Sequence, residues 1–230
     1  TDLLTDLDNT IRGGAPGVIQ IKSVTDGDAF LGNNTQNAAI QGGFTPASDV
    51  ETFTIRVPIF NPYSSVGLDQ NFGSVGFALG AGTQSNYLKV VAGVGGGVPR
   101  LQVFYEVADI TDNGAADSDF NNAANNATGN AIFNLYLTVD LSTPGAATAQ
   151  AFYNYELSPG GGMVLTEPKA IGDPIVLQGN VLDAVLGNNT ITAENGDELP
   201  SSAIVSLLAT STGPEPPFQA NFADLELTST

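Results

Sequence analysis

A short acidic stretch, residues 109–119 (DITDNGAADSD), has the residue types and spacing that suit a hard metal ion. Its candidate ligands are Asp112, Asn113, Asp117 and Asp119. Ca²⁺ takes about six to eight oxygen ligands from carboxylate and amide groups of this kind. The stretch lacks the closing glutamate of an EF-hand, and Asp, Asn and Gly also form ordinary turns. The sequence therefore predicts a calcium-binding loop here, with residues 26–28 (DGD) as a second candidate.

The chain contains no cysteine and no histidine. These absences exclude disulfides, thiol chemistry, histidine-ligated zinc and nucleophilic catalysis that depends on a histidine base. Any catalysis would have to rest on carboxylates, tyrosine, lysine or a hard metal ion.

The charge of the chain is strongly acidic, with 24 Asp and Glu against 6 Lys and Arg and a formal net charge of −18. Such a surface repels the phosphate backbone of nucleic acids and anionic lipid headgroups. No apolar run approaches the length of a membrane-spanning helix. We therefore expect neither a nucleic-acid partner nor membrane insertion.

The elements that must position any site are strands. Residues 72–106 (FGSVGFALGAGTQSNYLKVVAGVGGGVPRLQVFYE) alternate in period two between glycine-rich turns, which predicts three adjacent antiparallel strands. The side chains predicted to share a face are Val75, Phe77 and Leu79 on the first strand, Tyr87, Lys89 and Val91 on the second, and Leu101, Val103 and Tyr105 on the third.

Further alternating segments predict more strands along the chain. They are residues 18–24, 51–60, 131–141, 149–157, 175–181 and 218–227, with 200–210 as a buried strand or short helix and 1–11 as a short helix or irregular first strand. The 27 Gly, 13 Pro and 13% charged residues disfavour a helical protein. We predict an all-β fold, a two-sheet antiparallel β-sandwich forming a single domain over residues 1–230.

Three segments resemble a known class of proteins. Residues 76–91 (GFALGAGTQSNYLKVV) with LQVFYE at 101–106, residues 203–227 (AIVSLLATSTGPEPPFQANFADLEL) and residues 11–28 (IRGGAPGVIQIKSVTDGD) are similar to strands and turns of concanavalin A-like (laminin G-like) jelly-roll modules of bacterial secreted proteins. The resemblance implies a jelly roll and an extracellular or cell-surface location.

The same resemblance implies a polysaccharide or other glycan as the ligand, bound on the concave sheet or at its rim. Sugar platforms use aromatic rings, and the chain has no tryptophan and six tyrosines. We predict that Tyr87 and Tyr105, on neighbouring strands, form a platform, with Gln84 and Asn86 as hydrogen-bonding neighbours.

A hydrolytic function can be compared with one motif. Retaining glycosidases of this fold class carry Glu-x-Asp-x-Glu on one strand, because nucleophile and acid must lie about 5 Å apart. The nearest match is Asp224-Leu225-Glu226, where Phe222 and Thr228 occupy the flanking positions. The sequence therefore predicts that the chain is not an enzyme.

Two functions remain open at this stage. The first is a non-catalytic extracellular module for carbohydrate binding or adhesion, stabilised by calcium. The second is a structural subunit of a filament, surface layer or matrix, in which copies of the chain associate by strand or edge pairing.

Overall fold

The computed structural model describes residues 11–13, 18–24, 27–66, 72–116, 131–157, 164–188, 191–192, 198–199, 203–212 and 217–230. Its strands are β1 (Ile11–Gly13), β2 (Ile19–Val24), β3 (Ala29–Phe30), β4 (Asn33–Asn34), β5 (Ala39–Phe44), β6 (Thr52–Phe60), β7 (Phe72–Thr83), β8 (Asn86–Gly95), β9 (Val98–Val107), β10 (Ile110–Ala116), β11 (Ala131–Asp140), β12 (Thr148–Leu157), β13 (Val164–Leu165), β14 (Lys169–Val176), β15 (Ile191–Thr192), β16 (Glu198–Leu199), β17 (Ala203–Ser211), β18 (Phe218–Phe222) and β19 (Glu226–Ser229). Its helices are α1 (Pro62–Val66) and α2 (Gly179–Val185).

Two antiparallel sheets account for most of these strands. Among the described residues, one sheet has nine strands in the order β1-β2-β18-β6-β11-β12-β13, with β14 paired to β12 and β19 paired to β6. The other has six, in the order β10-β9-β8-β7-β17-β5. The predicted all-β, two-sheet antiparallel sandwich is confirmed.

The core lies between the two sheets and follows from strand alternation, since every second side chain points to the same face. Phe53, Ile55, Val57 and Ile59 of β6 are all buried in it, as are Val75, Phe77 and Leu79 of β7. The predicted face of the first strand in residues 72–106 is confirmed by this burial. The strands predicted over residues 131–141 and 149–157 also form, as the antiparallel hairpin of β11 and β12.

The last segment of the chain differs from its prediction as one strand. It forms β18 and β19, separated by residues 223–225, and both pair with β6. Pro58 lies opposite the break, and the Ala223 N–H donates to its carbonyl oxygen at 3.1 Å. In an antiparallel pair, a residue whose carbonyl oxygen accepts from the neighbouring strand also donates its N–H to that strand. Pro58 has no N–H, so this second hydrogen bond cannot form. Pro58 therefore interrupts the pairing within a central strand and does not mark an edge.

One further prediction on secondary structure is corrected. The predicted strand over residues 175–181 is the end of β14 followed by the start of α2, and Val181 lies in the helix with its side chain in the core. Of the segment 200–210, predicted as a buried strand or a short helix, residues 203–210 lie in the buried strand β17. Residues 1–10 lie outside the described part of the chain.

Neither α1 nor α2 is long enough to cross a bilayer, and no other described segment forms a helix that could.

Candidate functional site

A segment of the chain crosses the outer face of the six-stranded sheet, the face that points away from the other sheet. This segment, residues 27–38, contains β3 and β4 and is called the strap. One end is held by a bridge between Gly27 and Ser211, with backbone hydrogen bonds of 2.9 and 3.2 Å. Ala29 of the strap packs against Tyr87 and Val91 of β8 in a small apolar cluster on this face.

A buried lysine ties the strap to the sheet. Lys89 is 3% exposed, and its Nζ lies 3.2 Å from Asp28 Oδ1 and 2.9 Å from the Ala29 carbonyl oxygen. The ammonium also lies 5.2 Å from the centroid of the Phe104 ring. Burial lowers the pKa of Lys89, while the adjacent Asp28 carboxylate raises it. The pair therefore couples the strap to β8.

Tyr87 and Glu106 hold the next part of the strap. The Tyr87 hydroxyl is within hydrogen-bond distance of the Ala29 carbonyl oxygen and lies 3.0 Å from Glu106 Oε2. The Leu31 N–H donates to the same carboxylate oxygen at 2.9 Å. Burial, followed by the charge of Glu106, raises the pKa of Tyr87 well above its ordinary value. This tyrosine therefore stays a neutral hydrogen-bonding group over the physiological pH range.

Glu106 is fully buried, and its second oxygen, Oε1, has no hydrogen-bond partner within the described structure. A buried carboxylate with one free oxygen costs free energy unless nearby cations or donors compensate. Lys89 supplies that compensation from the same face, since its electrostatic interaction with Glu106 raises the lysine pKa.

The far end of the strap is fixed by amide side chains. The Gln84 side chain accepts a bond from the Gln36 N–H at 2.9 Å and donates to the Gln36 carbonyl oxygen at 2.8 Å. Asn34 Nδ2 donates to Asp109 Oδ1 at 2.9 Å, and bonds from Asn34 and Ser85 lower the pKa of Asp109. The strap is thus bonded to the sheet along its whole length.

Two grooves flank the strap on this face. The first, of about 460 Å³, is called the amide groove, and its polar lining includes Gln36, Gln41, Gln84, Asn86, Tyr87 and Ser206. Its floor includes Gly80, where an added Cβ would lie 2.2 Å from the Asn86 carbonyl oxygen. At Gly76, on the same face of β7, the Cβ would lie 2.1 Å from the Val90 carbonyl oxygen. Neither position has space for a side chain.

The second groove, of about 580 Å³, is called the aromatic groove. Its main lining residues are Phe30, Phe72, Phe104, Arg100, Gln102 and Thr210. Phe30 from the strap packs edge-to-face on Phe104, with ring centroids 5.3 Å apart. Phe72 is 48% exposed. Apolar rings next to amide, hydroxyl and guanidinium groups form a surface that can stack on a ligand and hydrogen-bond to it.

The predicted tyrosine platform does not form. Tyr87 is paired with Glu106 and Tyr105 with Leu88, so the two rings point to opposite faces of the sheet. Tyr105 is 1% exposed in the core between the sheets, and its hydroxyl donates to the Gln178 carbonyl oxygen at 3.1 Å. Two residues on neighbouring strands point to the same face when they are directly paired or an even number of positions apart in register. These two residues are one position out of register.

The other predicted ligand-binding residues, Gln84, Asn86 and Tyr87, line the amide groove. Their polar groups bond within the chain, because Asn86 Oδ1 accepts from the Ala108 N–H at 3.1 Å and Gln84 bonds to the strap. Ligand binding by these three residues stays a prediction.

The aromatic groove was missed, although the sequence contained a signal for it. The residues of β9 that alternate with the buried Leu101, Val103 and Tyr105 are Arg100, Gln102, Phe104 and Glu106. These four side chains, which are basic, amide, aromatic and acidic, share one face of β9. Choosing this alternating set instead of the buried one would have identified the groove.

The predicted calcium loop contains a strand. Residues 110–116 form β10, paired with β9, and the register shifts between Thr111 and Gly114. Asp112 and Asn113 therefore lie in a strand, but the positions of their side chains are not described, and Asp117 and Asp119 lie outside the described residues. At the second candidate, Asp26 is likewise outside them and Asp28 pairs with Lys89. Among the described side chains, no group of three or more acidic residues could hold a metal ion.

The acidic pair near the chain end does not form a site of two carboxylates on one strand. Asp224 lies in the link between β18 and β19, whereas Glu226 lies in β19 and pairs with Arg56 at 2.9 Å. The ion pair explains Glu226 as a contact between neighbouring strands.

No protein-family model matches the chain, and no curated protein matches it significantly. Solved structures do match its fold. The bifunctional GH43-CE protein of Bacteroides eggerthii superposes with a TM-score of 0.59 at 11% identity, over 96% of this chain and 22% of its own. A GH43 glycoside hydrolase engineered for endo-xylanase and exo-arabinofuranosidase activity gives 0.55 at 13% identity, over 96% and 36%. The endo-1,3-beta-glucanase of Streptomyces sioyaensis gives 0.52 at 13% identity, over 96% and 78%.

The chain thus spans about a fifth and about a third of the first two proteins. At 11–13% identity the likeness is one of fold. It corrects one prediction, because structures with this fold include parts of proteins named as glycoside hydrolases and most of the chain of an endo-1,3-beta-glucanase. The prediction that the chain is not an enzyme is therefore wrong, because it rested on one missing motif and enzymes are among the proteins that share this fold.

Proposed function

We propose that this chain is an extracellular or cell-surface carbohydrate-binding protein of the concanavalin A-like jelly-roll type, and that the aromatic groove beside the strap binds the glycan. The observation that carries the proposal is the groove itself, in which Phe72 and Phe104 flank Gln102 on one open face. Aromatic rings stack on the apolar faces of sugar rings, and amide and hydroxyl groups bond to sugar hydroxyls.

Support also comes from the carbohydrate-acting proteins that share the fold, the acidic low-lysine composition and the sequence resemblance.

The alternative, a subunit that assembles by edge pairing, is less well supported. At one end of the nine-stranded sheet, β14 carries Lys169, Asp173 and Pro174. Charged residues and proline on an edge strand oppose pairing with another sheet.

Phe72→Ala is expected to weaken glycan binding about tenfold or more, equivalent to about 1.4 kcal/mol, because it removes the most exposed ring of the groove. Glycan-array screening and retention on insoluble polysaccharides would first identify a ligand, and calorimetry would then give the dissociation constant. The melting temperature should change little, as for most exposed positions.

Leu227→Ala is the matched control, because Leu227 is a similarly exposed apolar residue on β19 of the other sheet. It should leave glycan binding unchanged. Absence of retention on every glycan, or equal binding by the parent and Phe72→Ala, would contradict the proposal. Assay of bound glycans for new reducing ends would show whether the chain also cleaves them.

Calcium binding by Asp112, Asn113, Asp117 and Asp119 is proposed as a source of stability. If Ca²⁺ binds only the folded chain, the free energy of unfolding rises by about 2.7 kcal/mol at a hundred times the dissociation constant. Thermal melts in EDTA and in millimolar calcium should therefore differ, and Asp117→Asn should reduce the difference. Identical melting temperatures in the two conditions would remove the site.

A further inference from the structure

We infer that the aromatic groove selects acidic glycans, and that Arg100 binds the carboxylate of a uronic acid. This inference rests on the proposed function, since it names the class of sugar that the same groove would bind. It starts from the guanidinium group on the outer face of β9, between the rings of the groove.

Arg100 is built into the sheet in a fixed position. Its carbonyl oxygen accepts a bond from the buried Tyr63 hydroxyl at 3.1 Å. Its side chain lies against Gly95 of β8, where an added Cβ would be 2.8 Å from Nε and 2.9 Å from Cζ. The absence of a side chain at Gly95 therefore provides the space in which the guanidinium group lies.

The charge of Arg100 is not neutralised within the described part of the chain. Lys89 pairs with Asp28 and Arg56 pairs with Glu226, whereas no described carboxylate pairs with Arg100. Asp28 also lines the groove, but its charge is already opposed by Lys89. In a chain of net charge −18, an arginine that keeps its charge available in a groove is suited to an anionic ligand.

The groups around Arg100 fit a carboxylate that is carried on a sugar ring. A guanidinium fork donates two parallel bonds to a planar carboxylate, and Gln102 can donate a further bond from the same face. The Phe72 ring, on the same side, is available for the sugar ring itself. The repulsion from the acidic surface is screened beyond roughly 8 Å at physiological ionic strength, so contacts within the groove decide binding.

The test compares oligomers of galacturonic, glucuronic and mannuronic acid, each with its carboxyl-reduced counterpart. Binding is measured by calorimetry at about 0.15 M salt, in EDTA so that calcium cannot bridge the carboxylates. Hydrogen bonds to a charged group should make the parent bind at least one uronate about 10- to 100-fold more tightly than its reduced form.

Three variants of the site and one control complete the test. Arg100→Gln should reduce this ratio to about one while binding to the reduced oligomer persists, and Arg100→Lys should keep part of the ratio. Gly95→Ala should also lower it without a change in net charge, because the new methyl group displaces the guanidinium. Arg56→Gln removes the same charge from the other sheet and should leave the ratio unchanged.

A ratio of one or less in the parent, or an unchanged ratio in Arg100→Gln, would overturn the inference. Binding of reduced oligomers alone would overturn it and leave the proposed function intact. Binding of neither kind of oligomer, together with an empty glycan array, would overturn both.

Discussion

Tyr105→Ala is expected to lower the free energy of unfolding by about 3–5 kcal/mol, the usual cost of removing a buried aromatic ring. The ring is 1% exposed between the two sheets. Its hydroxyl also accepts the Gln178 N–H, at the residue that precedes the first turn of α2 and has no side-chain cap of its own. The substitution thus creates a cavity and leaves a backbone donor without its partner.

Urea denaturation would measure the effect, with Tyr105→Phe as the matched variant. That variant keeps the ring and should lose only about 1–3 kcal/mol, from the unsatisfied groups at Gln178. Gln102→Ala, on the outer face of the same strand, should cost far less. A loss below 1 kcal/mol in Tyr105→Ala would contradict the burial of this ring between the two sheets.

Lys89→Met is expected to lower the free energy of unfolding by about 3–5 kcal/mol, because removal of one partner leaves the charge of the other buried. The methionine occupies a similar volume, so the loss is electrostatic rather than steric. Asp28 and the fully buried Glu106 would both lose their nearby cation.

A double-mutant cycle with Asp28→Asn would isolate the pair. The two single substitutions should together cost more than the double variant, because the double variant leaves no unpaired charge between these positions. Hydrogen exchange at the Leu31 N–H, which bonds to Glu106, should accelerate in Lys89→Met if the strap opens. Additive free energies with unchanged exchange would mean that the pair does not hold the strap.

The sandwich could be predicted from the sequence because alternation is a local property. In β6 the four buried hydrophobic residues of the core face lie two positions apart, and the same alternation identified β7, β8 and β9. The break between β18 and β19 could not be predicted in the same way. It depends on Pro58, which lies far away in sequence and meets that segment only once the sheet has formed.

The residues predicted to bind a ligand lie on the same sheet as the proposed aromatic groove, but they do not share one face. Alternation says which residues share a face of one strand, but the pairing register decides which faces of two strands coincide. Tyr87 and Tyr105 were assigned to one platform without that register, and Arg100, Gln102 and Phe104 were overlooked for the same reason.

The strap had no sequence signal that could identify it. Its strands are two residues long, and its contacts join Asp28 to Lys89 and Leu31 to Glu106, which are distant in the chain. Contacts of this kind depend on the completed sheet, so they follow from tertiary structure alone.

The glycines beneath the outer face limit how natural variation could change the shape of the two grooves. At Gly76 and Gly80 any larger residue would strike the backbone of the adjacent strand, so mutation there damages the sheet before it can alter a ligand contact. The exposed side chains of the strap, and Arg100 and Gln102 of β9, meet no such backbone obstacle. Descendants of this sequence would therefore change the two grooves through substitutions at those positions, while the glycines of β7 stay unchanged.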